Sequence, residues 1–459
     1  MKKALSIVVL SFIFASVCVL PASANSMQTS WSGVDSSGTV ILDESCPIEV
    51  TKELLTFNIE QTPATSGNSV TGFDVSKSTL TAEYTFYNPS ELEITASLAF
   101  PFGTRPGYAS DEGSFSITLN GEEIEKEIRY TLPVGRGFDL EGDAARLSEE
   151  YLSLGFFSPD MTVTKYTYRT VDEKNLGYNQ LIAFDYNANS EGSRIYFPDS
   201  YAVDKGNGNI RIGIHNNLLG NVDIYVIGEP PAEPLNWSFY SDKSFDDGKK
   251  LDINAEMKLI RTEEMDLESF VLSMRPHESD VNDVDWYNAV VCGFDYKEDY
   301  SVLSHRYGNN IDNYLMSWYQ YDITITPGAS AVNAVTAPMY PTVNTHPDES
   351  EFEYTYFLSP ASTWASFGEL EIRINSPYYL VDSNIEGYRK SEGGYTLMLN
   401  GLPDKELEFT LRSTPSIVRE IKSSVGVLAG VPDGYLYIGT AAVALLAVAI
   451  VVILIKKRI

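Results

Sequence analysis

Cysteine is scarce in this sequence of 459 residues, which contains three of them. Cys18 lies in an apolar N-terminal run, so Cys46 and Cys292 are the pair expected in a mature protein. A disulfide-built scaffold is therefore excluded, and the chain must be held together mainly by burial of apolar surface. Two arrangements of the pair remain open: one disulfide between the N-terminal segment and the middle of the chain, or two buried thiols.

Catalytic signature motifs are missing as well. The sequence has no G-x-S-x-G nucleophile elbow, no H-E-x-x-H zinc motif and no P-loop. Histidine is rare and dispersed, so its spacing does not predict a zinc site. The four histidines are His215, His277, His305 and His346. Carboxylates are so abundant that sequence alone nominates no glycosidase-like pair of acids, and such a pair stays open.

Basic residues are few, with 33 Lys and Arg against 63 Asp and Glu and a net charge of −30. Five of the basic residues lie in two terminal segments without acids, so the intervening chain has 28 basic and 63 acidic residues and a charge of −35. Such a surface repels nucleic acid and anionic lipid, and it can attract metal cations or a basic partner. The acids are dispersed and 43% of residues are hydrophobic, which indicates a folded chain rather than a disordered one.

Long apolar runs are absent except at the two ends of the sequence. The first run follows Lys2 and Lys3 and ends before the small residues Ala22-Ser23-Ala24, which predicts a signal peptide over residues 1–24. The second run, Ile438 to Ile455, has 18 uncharged residues and would form a helix about 27 Å long. It predicts a transmembrane helix over residues 435–455.

Three basic residues, Lys456 to Arg458, follow the second run at once. By the positive-inside rule they keep a short tail, residues 456–459, in the cytoplasm. We therefore expect a single-pass protein of the cell membrane with its ectodomain outside and its C-terminus in the cytoplasm. The tail leaves no room for a cytoplasmic signalling domain.

Period-two alternation dominates the first part of the ectodomain. The clearest run has apolar residues at Leu92, Ile94, Ala96, Leu98 and Phe100, with polar residues between them. This pattern is typical of a strand with one buried and one solvated face. The Asn120-Gly121 dipeptide between two such runs predicts a hairpin. Residues 46–132 are therefore predicted to form an antiparallel, immunoglobulin-like β-sandwich after a flexible lead-in over residues 25–45.

The same alternation returns near the C-terminus, again with an Asn-Gly dipeptide at Asn400-Gly401. It predicts a second immunoglobulin-like sandwich over residues 312–415 that closes on a hairpin, followed by a stalk over residues 416–434. Residues 133–311 are interpreted as a mixed, β-rich middle region. Helical spacing within it predicts insertions over residues 143–154, 262–274 and 280–294. The predicted fold class is thus mainly β: two sandwich domains flank the middle region, with one transmembrane helix at the end.

Aromatic residues are concentrated between Trp286 and Tyr321, where they make up ten of 36 residues, or 28% against 12% overall. Tyr and Trp combine a large apolar face with a polar tip, which suits a surface for glycan or peptide. The candidate ligand-binding residues are Trp286, Tyr287, Tyr296, Tyr300, Trp318 and Tyr319. The alternative, which we favour, is that these rings fill a seam between two domains.

Three acidic clusters could hold a hard cation, so Ca²⁺ is the one cofactor that the sequence suggests. They are Asp242, Asp246 and Asp247; Asp280, Asp283 and Asp285; and Asp348, Glu349 and Glu351. The first cluster begins like an EF-hand loop, but Asp247 stands where glycine is required and Ile253 where the bidentate glutamate belongs. The alternative is that these acids lie in solvated turns or at helix N-termini.

Four stretches of the chain carry a resemblance. They are CPIEVTKELLTFNI, LTAEYTFYNPSELEITASLAFPFG, DWYNAVV and YFLSPASTWASFGELEI. They resemble exported proteins of Gram-positive-type bacteria that contain a domain of unknown function. The resemblance implies a signal peptide, a β-rich ectodomain and a single C-terminal helix, and it implies no functional residue.

These features favour a non-enzymatic cell-surface protein that binds or organises an envelope partner, either a wall polymer or a protein. The alternative is an envelope hydrolase that acts on glycan or peptide with carboxylates as acid and base.

Overall fold

The computed structural model describes most of the predicted ectodomain. The described residues are 30–31, 36–42, 45–60, 62, 64–66, 69–72, 78–103, 115–133, 140–144, 146–171, 181–187, 192–198, 200–215, 220–231, 235–253, 255–295, 302–303, 315–344 and 350–415. The predicted signal peptide, stalk and transmembrane helix lie outside these ranges. Within them, no helix combines the length and apolar character that crossing a bilayer requires.

Strands make up nearly all of the regular structure before residue 132. They are β1 (Ser30–Trp31), β2 (Ser36–Ser37), β3 (Val40–Ile41), β4 (Glu49–Ile59), β5 (Ala64–Ser66), β6 (Ser69–Gly72), β7 (Ser78–Tyr87), β8 (Ile94–Phe102), β9 (Ser116–Leu119), β10 (Glu122–Glu123) and β11 (Glu127–Thr131).

The middle of the chain adds strands and the described α-helices. They are α1 (Leu140–Ala144), β12 (Thr162–Val171), β13 (Leu181–Asn187), β14 (Ser193–Tyr196), β15 (Tyr201–Gly206), β16 (Asn209–His215), β17 (Asn221–Gly228), β18 (Trp237–Tyr240), β19 (Glu256–Asp266), α2 (Leu267–Ser273), α3 (Asp283–Asp295) and β20 (Val302–Leu303). A 3₁₀ turn covers Asp247–Lys249.

The C-terminal segment is again built from strands, with a 3₁₀ helix at Ser359–Thr363. They are β21 (Met316–Ile325), β22 (Ser330–Pro338), β23 (Thr342–Asn344), β24 (Glu351–Phe357), β25 (Phe367–Asn375), β26 (Tyr379–Ser383), β27 (Arg389–Ser391), β28 (Gly394–Asn400) and β29 (Leu407–Arg412).

The N-terminal and C-terminal segments share two sheets. Sheet I has ten strands, with the path β1-β23-β24-β2-β8-β21-β11, β3 paired to β8, and β29 and β26 beyond β24. Sheet II has eight strands in the order β10-β9-β22-β7-β4-β25-β28-β27. The prediction of two separate sandwiches is therefore wrong. Alternation specifies which face of a strand is buried, but it does not specify the partner strand.

One core joins these two sheets. Phe57 of sheet II lies edge-on to Tyr356 and Phe409 of sheet I, with ring centroids 6.0 and 5.1 Å apart. Burying rings of this size contributes about 2 to 3 kcal/mol each. This core holds more buried residues than the other clusters of the described structure.

In the clearest predicted run, Ala96, Leu98 and Phe100 are buried as expected. Ile94 is only half-buried, and the inward placement of Leu92 is wrong, because β8 begins at Ile94 and Leu92 is 71% exposed.

The middle region forms its own smaller sandwich. Sheet III has the order β19-β12-β17-β14-β20, and sheet IV has the order β15-β16-β13-β18. Their shared core includes Tyr168 and Ile224 of sheet III and Phe184 and Ile212 of sheet IV. The described residues therefore form one sandwich from the two flanking segments, sheets I and II, which we call the large sandwich. The segment between them forms a second, smaller sandwich from sheets III and IV.

Local predictions had mixed outcomes. The Asn120-Gly121 turn is confirmed, since both residues have positive φ and β9 turns back into the short strand β10. The returning run is not its hairpin partner, because β11 belongs to sheet I and β9 to sheet II. The hairpin at Asn400-Gly401 is wrong, because β28 belongs to sheet II and β29 to sheet I. The helix predicted over 280–294 is α3. The helix predicted over 262–274 is confirmed only from Leu267, because β19 runs to Asp266.

The third predicted helix, over residues 143–154, is largely wrong. The helix α1 covers Leu140–Ala144 and thus includes only the first part of the predicted range. Turns and extended backbone follow over residues 146–154. Strand pairing or helix formation in such short segments is decided by tertiary contacts rather than by spacing alone.

Candidate functional site

The aromatic candidates are core residues. Trp286 and Tyr287 on α3 are 1% and 0% exposed, and Trp318 and Tyr319 on β21 are 0% and 7% exposed. The indole of Trp286 donates to the Val271 carbonyl at 3.0 Å. These four rings fill packed interiors and offer no face to a ligand. The prediction that they form a ligand-binding surface is therefore wrong.

The alternative of a seam agrees with this burial. Trp318 donates to the Thr131 hydroxyl at 2.7 Å and packs in a cluster that Ala144 and Leu147 of the middle region join. Its ring therefore lies where the large sandwich meets the middle region. The other two candidates, Tyr296 and Tyr300, lie outside the described residues.

The first acidic cluster is occupied by its own neighbours. Asp242 accepts from the backbone amide of Ser244 at 3.0 Å and from its hydroxyl at 2.6 Å. Asp247 accepts from Arg211 at 2.7 Å, and Asp246 precedes the 3₁₀ turn. Hydrogen bonding lowers the pKa of both Asp242 and Asp247 below the ordinary aspartate value. These acids stabilise a turn, as the alternative proposed.

The second acidic cluster contains a structural ion pair. Asp285 is 2% exposed and accepts from Arg129 at 2.8 Å and from the Tyr130 amide at 2.9 Å. Asp283 pairs with Arg275, and Asp280 is exposed. In the third cluster Asp348 and Glu349 lie outside the described residues, and Glu351 forms an ion pair with Arg412, with 3.4 Å between nitrogen and oxygen. Across the described ranges, no group of three or more His, Cys, Asp or Glu side chains is arranged to hold a metal ion.

The two cysteines are buried and unbridged. Cys46 belongs to the core of the large sandwich, while Cys292 lies on α3 with its sulfur 3.9 Å from the Leu132 carbonyl. Burial raises the pKa of Cys292 to about 11, which suppresses its thiolate. Of the two arrangements left open by the sequence, the structure has the buried thiols.

A surface depression with acidic walls lies on the outer face of sheet I. We define the acidic groove by β24, β26 and β29 and the turn after β26; its volume is about 320 Å³. It is lined by Glu353, Tyr354, Thr355, Asp382, Ser383, Asn384, Glu408, Phe409 and Thr410. Strand pairing places both Glu353 and Asp382 opposite Thr410, and Glu408 opposite Thr355. Three carboxylates from three strands therefore converge on one groove, and none of its described lining residues is basic.

The electrostatics of the acidic groove are unfavourable when it is empty of cations. Desolvation is the main cause that raises the pKa of Glu353, and the charges of Glu351, Glu408 and Asp382 raise it further. The Asn344 side chain, which donates to Glu353, opposes this rise. The arrangement would gain from a positive group, because opposite charge within a few ångströms favours the ionised carboxylate.

Sequence analysis found none of the acids that line this groove, although Glu351 lies on the same strand as Glu353. Asp382 and Glu408 lie on other strands, and no rule of alternation predicts that β24 pairs with β29. A usable signal did exist. Both strands repeat the motif of an acid, an apolar residue, an acid, an aromatic residue and Thr, as Glu351 to Thr355 and Glu406 to Thr410.

A second group missed by sequence analysis is a buried polar network in the large sandwich. Glu53 is 1% exposed and accepts from the Tyr356 hydroxyl at 3.2 Å. Tyr356 lies 3.3 Å from the hydroxyl of Tyr84, which accepts from the Thr39 amide at 3.0 Å. Glu53 lies on the inward-facing side of its alternating strand. In the sequence, only its carboxyl group distinguishes it from the apolar residues on that side.

Comparison with known proteins gives little. No protein-family model and no curated protein sequence matches the chain. A crystal structure from Legionella pneumophila subsp. pneumophila, described as a "putative nutrient binding protein", aligns with 11% sequence identity and a TM-score of 0.34. The alignment covers 83% of this chain and 72% of that one. Similarity of this degree does not define a shared fold.

Proposed function

We propose that this chain is a non-enzymatic cell-surface protein, anchored by its C-terminal helix, that binds or organises a wall polymer or another protein of the envelope. The signal-like residues 1–24 and the apolar run from Ile438 to Ile455 support this location. In this topology the described sheets lie outside the cell and residues 456–459 lie in the cytoplasm.

The acidic groove is the observation that carries the binding part of the proposal. Glu353, Asp382 and Glu408 line an open depression without a basic side chain among its described walls. Desolvation and the neighbouring acids raise the pKa of Glu353, and an amino or guanidinium group that entered the groove would offset the contribution of those acids. The partner is therefore expected to present cationic groups.

Affinity capture tests the proposal. The tagged full-length chain in detergent is used to capture partners from envelope extracts, with Ca²⁺ and with a chelator. The test variant is Glu353→Gln/Asp382→Asn/Glu408→Gln. The matched control, Glu122→Gln/Glu123→Gln/Glu125→Gln, removes three exposed charges at the β9–β10 turn. We expect the groove variant to lose a partner that the wild type and the control retain.

Two outcomes would contradict the proposal. One is retention of the same material by all three proteins, or of nothing above background. The other is cleavage of wall glycan or peptide by the wild type that the groove variant loses, which would support the hydrolase alternative. The location is tested separately, because external protease should digest the chain on intact cells and leave a short membrane-bound remnant.

A further inference from the structure

Residues 36–42 fill a gap within sheet I, and we call this segment the strap. Its strand β2 pairs in parallel with β24, where Ser36 lies opposite Tyr356, and antiparallel with β8. Its strand β3 pairs with β8, where Val40 lies opposite Ala99. Without the strap, the edges of β24 and β8 at this point would have no partner between them. Each of its two strands is only two residues long.

The strap covers the buried polar network. The Thr39 amide donates to the Tyr84 hydroxyl at 3.0 Å, and the Thr39 hydroxyl lies 3.3 Å from that of Tyr321. A Cβ atom on Gly38 would lie 3.0 Å from the Tyr84 oxygen and 3.3 Å from the Tyr356 oxygen, so glycine allows the strap to sit this close. Thr39 itself is 0% exposed.

The network holds a carboxyl group with no compensating charge. One oxygen of Glu53 accepts from Tyr356, and the other has no hydrogen-bond partner within the described structure. The titratable groups that influence it are Tyr84 of β7 and Tyr356 of β24, with Tyr321 of β21 beyond them. Its sequence neighbour Lys52 pairs instead with Glu371 at 2.7 Å. An ionised carboxylate in this place would be buried without a cation, which is costly.

Relief of that cost requires water to reach Glu53, and the strap is a weakly paired segment that lies directly over the network. Glu53 lies on β4, which has 11 residues and is paired on both sides, with β7 and β25. Opening such a strand would disrupt the whole sandwich. Beyond its short ladders, the strap is held by hydrogen bonds such as those from Gly38 to Phe357 at 3.2 Å and from Leu42 to Ser97 at 3.0 Å. Local opening occurs preferentially in segments with few such bonds.

We infer that the strap closes sheet I over the protonated, neutral form of Glu53. When the strap opens, Glu53 releases its proton. Burial raises the pKa of Glu53 to about 7 in the closed state, from an ordinary value of 4.5. Opening should therefore become easier as the pH rises from about 4.5 to 7 and change little above that. The opened gap would present two strand edges, a surface that extended peptides bind.

Hydrogen exchange with mass spectrometry tests this inference on the full-length chain in detergent. Protection of peptides that cover the strap is compared at pH 5.5 and 8.5, after correction for intrinsic exchange. We expect the protection of these peptides in the wild type to be about 30-fold lower at pH 8.5 than at pH 5.5, because Glu53 binds its proton more tightly when the strap is closed than when it is open. Peptides from β22 should not show this fall. The Glu53→Gln and Glu53→Met variants should keep the same strap protection at both pH values.

A second variant separates proton linkage from simple destabilisation. Tyr356→Phe removes the hydroxyl that donates to Glu53 at 3.2 Å and helps to lower the pKa of that carboxyl group, so strap protection should continue to fall to a higher pH than in the wild type. Tyr395→Phe is the matched control, since that hydroxyl accepts from the Leu380 amide instead. The inference is overturned by unchanged strap protection in the wild type, by an equal fall in the Glu53 variants, or by a uniform fall across all sandwich peptides.

Discussion

Arg129 of β11 and Asp285 of α3 form a buried ion pair that ties the large sandwich to the middle region. Their side chains are 3% and 2% exposed, and the closest nitrogen–oxygen distance is 2.8 Å. Asp285 also accepts from the Tyr130 amide and from the Asn282 side chain, each at 2.9 Å. The hydrogen bonding that Arg129 donates to the Asp285 carboxylate is the main cause of the raised pKa of Arg129.

Asp285→Asn should destabilise the protein by about 3 kcal/mol or more, because it leaves a buried guanidinium without its main counter-charge. The measurement is the free energy of unfolding in urea at pH 7. Asp283→Asn is the control, since Asp283 pairs with Arg275 near the surface and should cost under about 1 kcal/mol. Equal losses in the two variants would show that the buried pair is not special.

The parallel pairing of β4 with β25 leads to a second prediction. A Cβ atom on Gly368 would lie 2.2 Å from the Thr51 carbonyl oxygen of the neighbouring strand, a distance that forces the backbone to move. Gly368→Ala should therefore lower the free energy of unfolding by about 1 to 3 kcal/mol. Gly220→Ala has open space at the same atom and should have little effect. A tolerated Gly368→Ala would argue against this strand order.

Sequence and structure agree where the argument depends on one strand at a time. Alternation around Leu98 and Phe100 predicted their burial correctly, and the Asn120-Gly121 turn needed only local geometry. Agreement ends where distant segments must be paired. The parallel register of Leu55 with Ile372, which merges the two predicted sandwiches into one, joins strands more than 300 residues apart in sequence.

The candidate site follows the same logic. Glu351 was singled out because it stands among acids in the sequence, but the groove is lined by its strand neighbour Glu353. Asp382 and Glu408 reach the acidic groove only through the pairing of β26 and β29. Aromatic clustering was misleading for the opposite reason. The richness in rings between Trp286 and Tyr321 is shared by binding surfaces and by packed interiors, and composition does not distinguish them.

Cys292 should resist thiol reagents in the folded protein. Burial raises its pKa to about 11, and its sulfur contacts the Leu132 carbonyl inside the seam. At pH 8 both the thiolate fraction and the access of reagent are therefore small. We expect native labelling by iodoacetamide, located by mass spectrometry, to be negligible at Cys292 and rapid after denaturation. Glu122→Cys at an exposed turn supplies the reactive control, and labelling of native Cys292 at a similar rate would contradict the buried placement.

As the pH falls, the acidic groove should become protonated, and so lose its attraction for cations, at a higher pH than an ordinary surface carboxylate. Desolvation and the neighbouring acids raise the pKa of Glu353, so this group takes up a proton earlier as the pH falls. Binding of a cationic partner should weaken accordingly as the pH falls. Glu353→Gln should weaken binding at pH 7 and leave the remaining affinity less dependent on pH. It should not reduce the free energy of unfolding, since it removes like-charge repulsion.

Calorimetric titration between pH 4 and 8 with the captured partner measures both the affinity and its pH dependence. Glu123→Gln is the matched control and should reproduce the wild-type curve, because that residue lies on β10 of sheet II. Thermal unfolding of the same proteins separates the loss of binding from the loss of fold. A wild-type affinity that stays constant across this pH range, or a Glu353→Gln variant that binds as tightly as the control, would remove the acidic groove from the proposal.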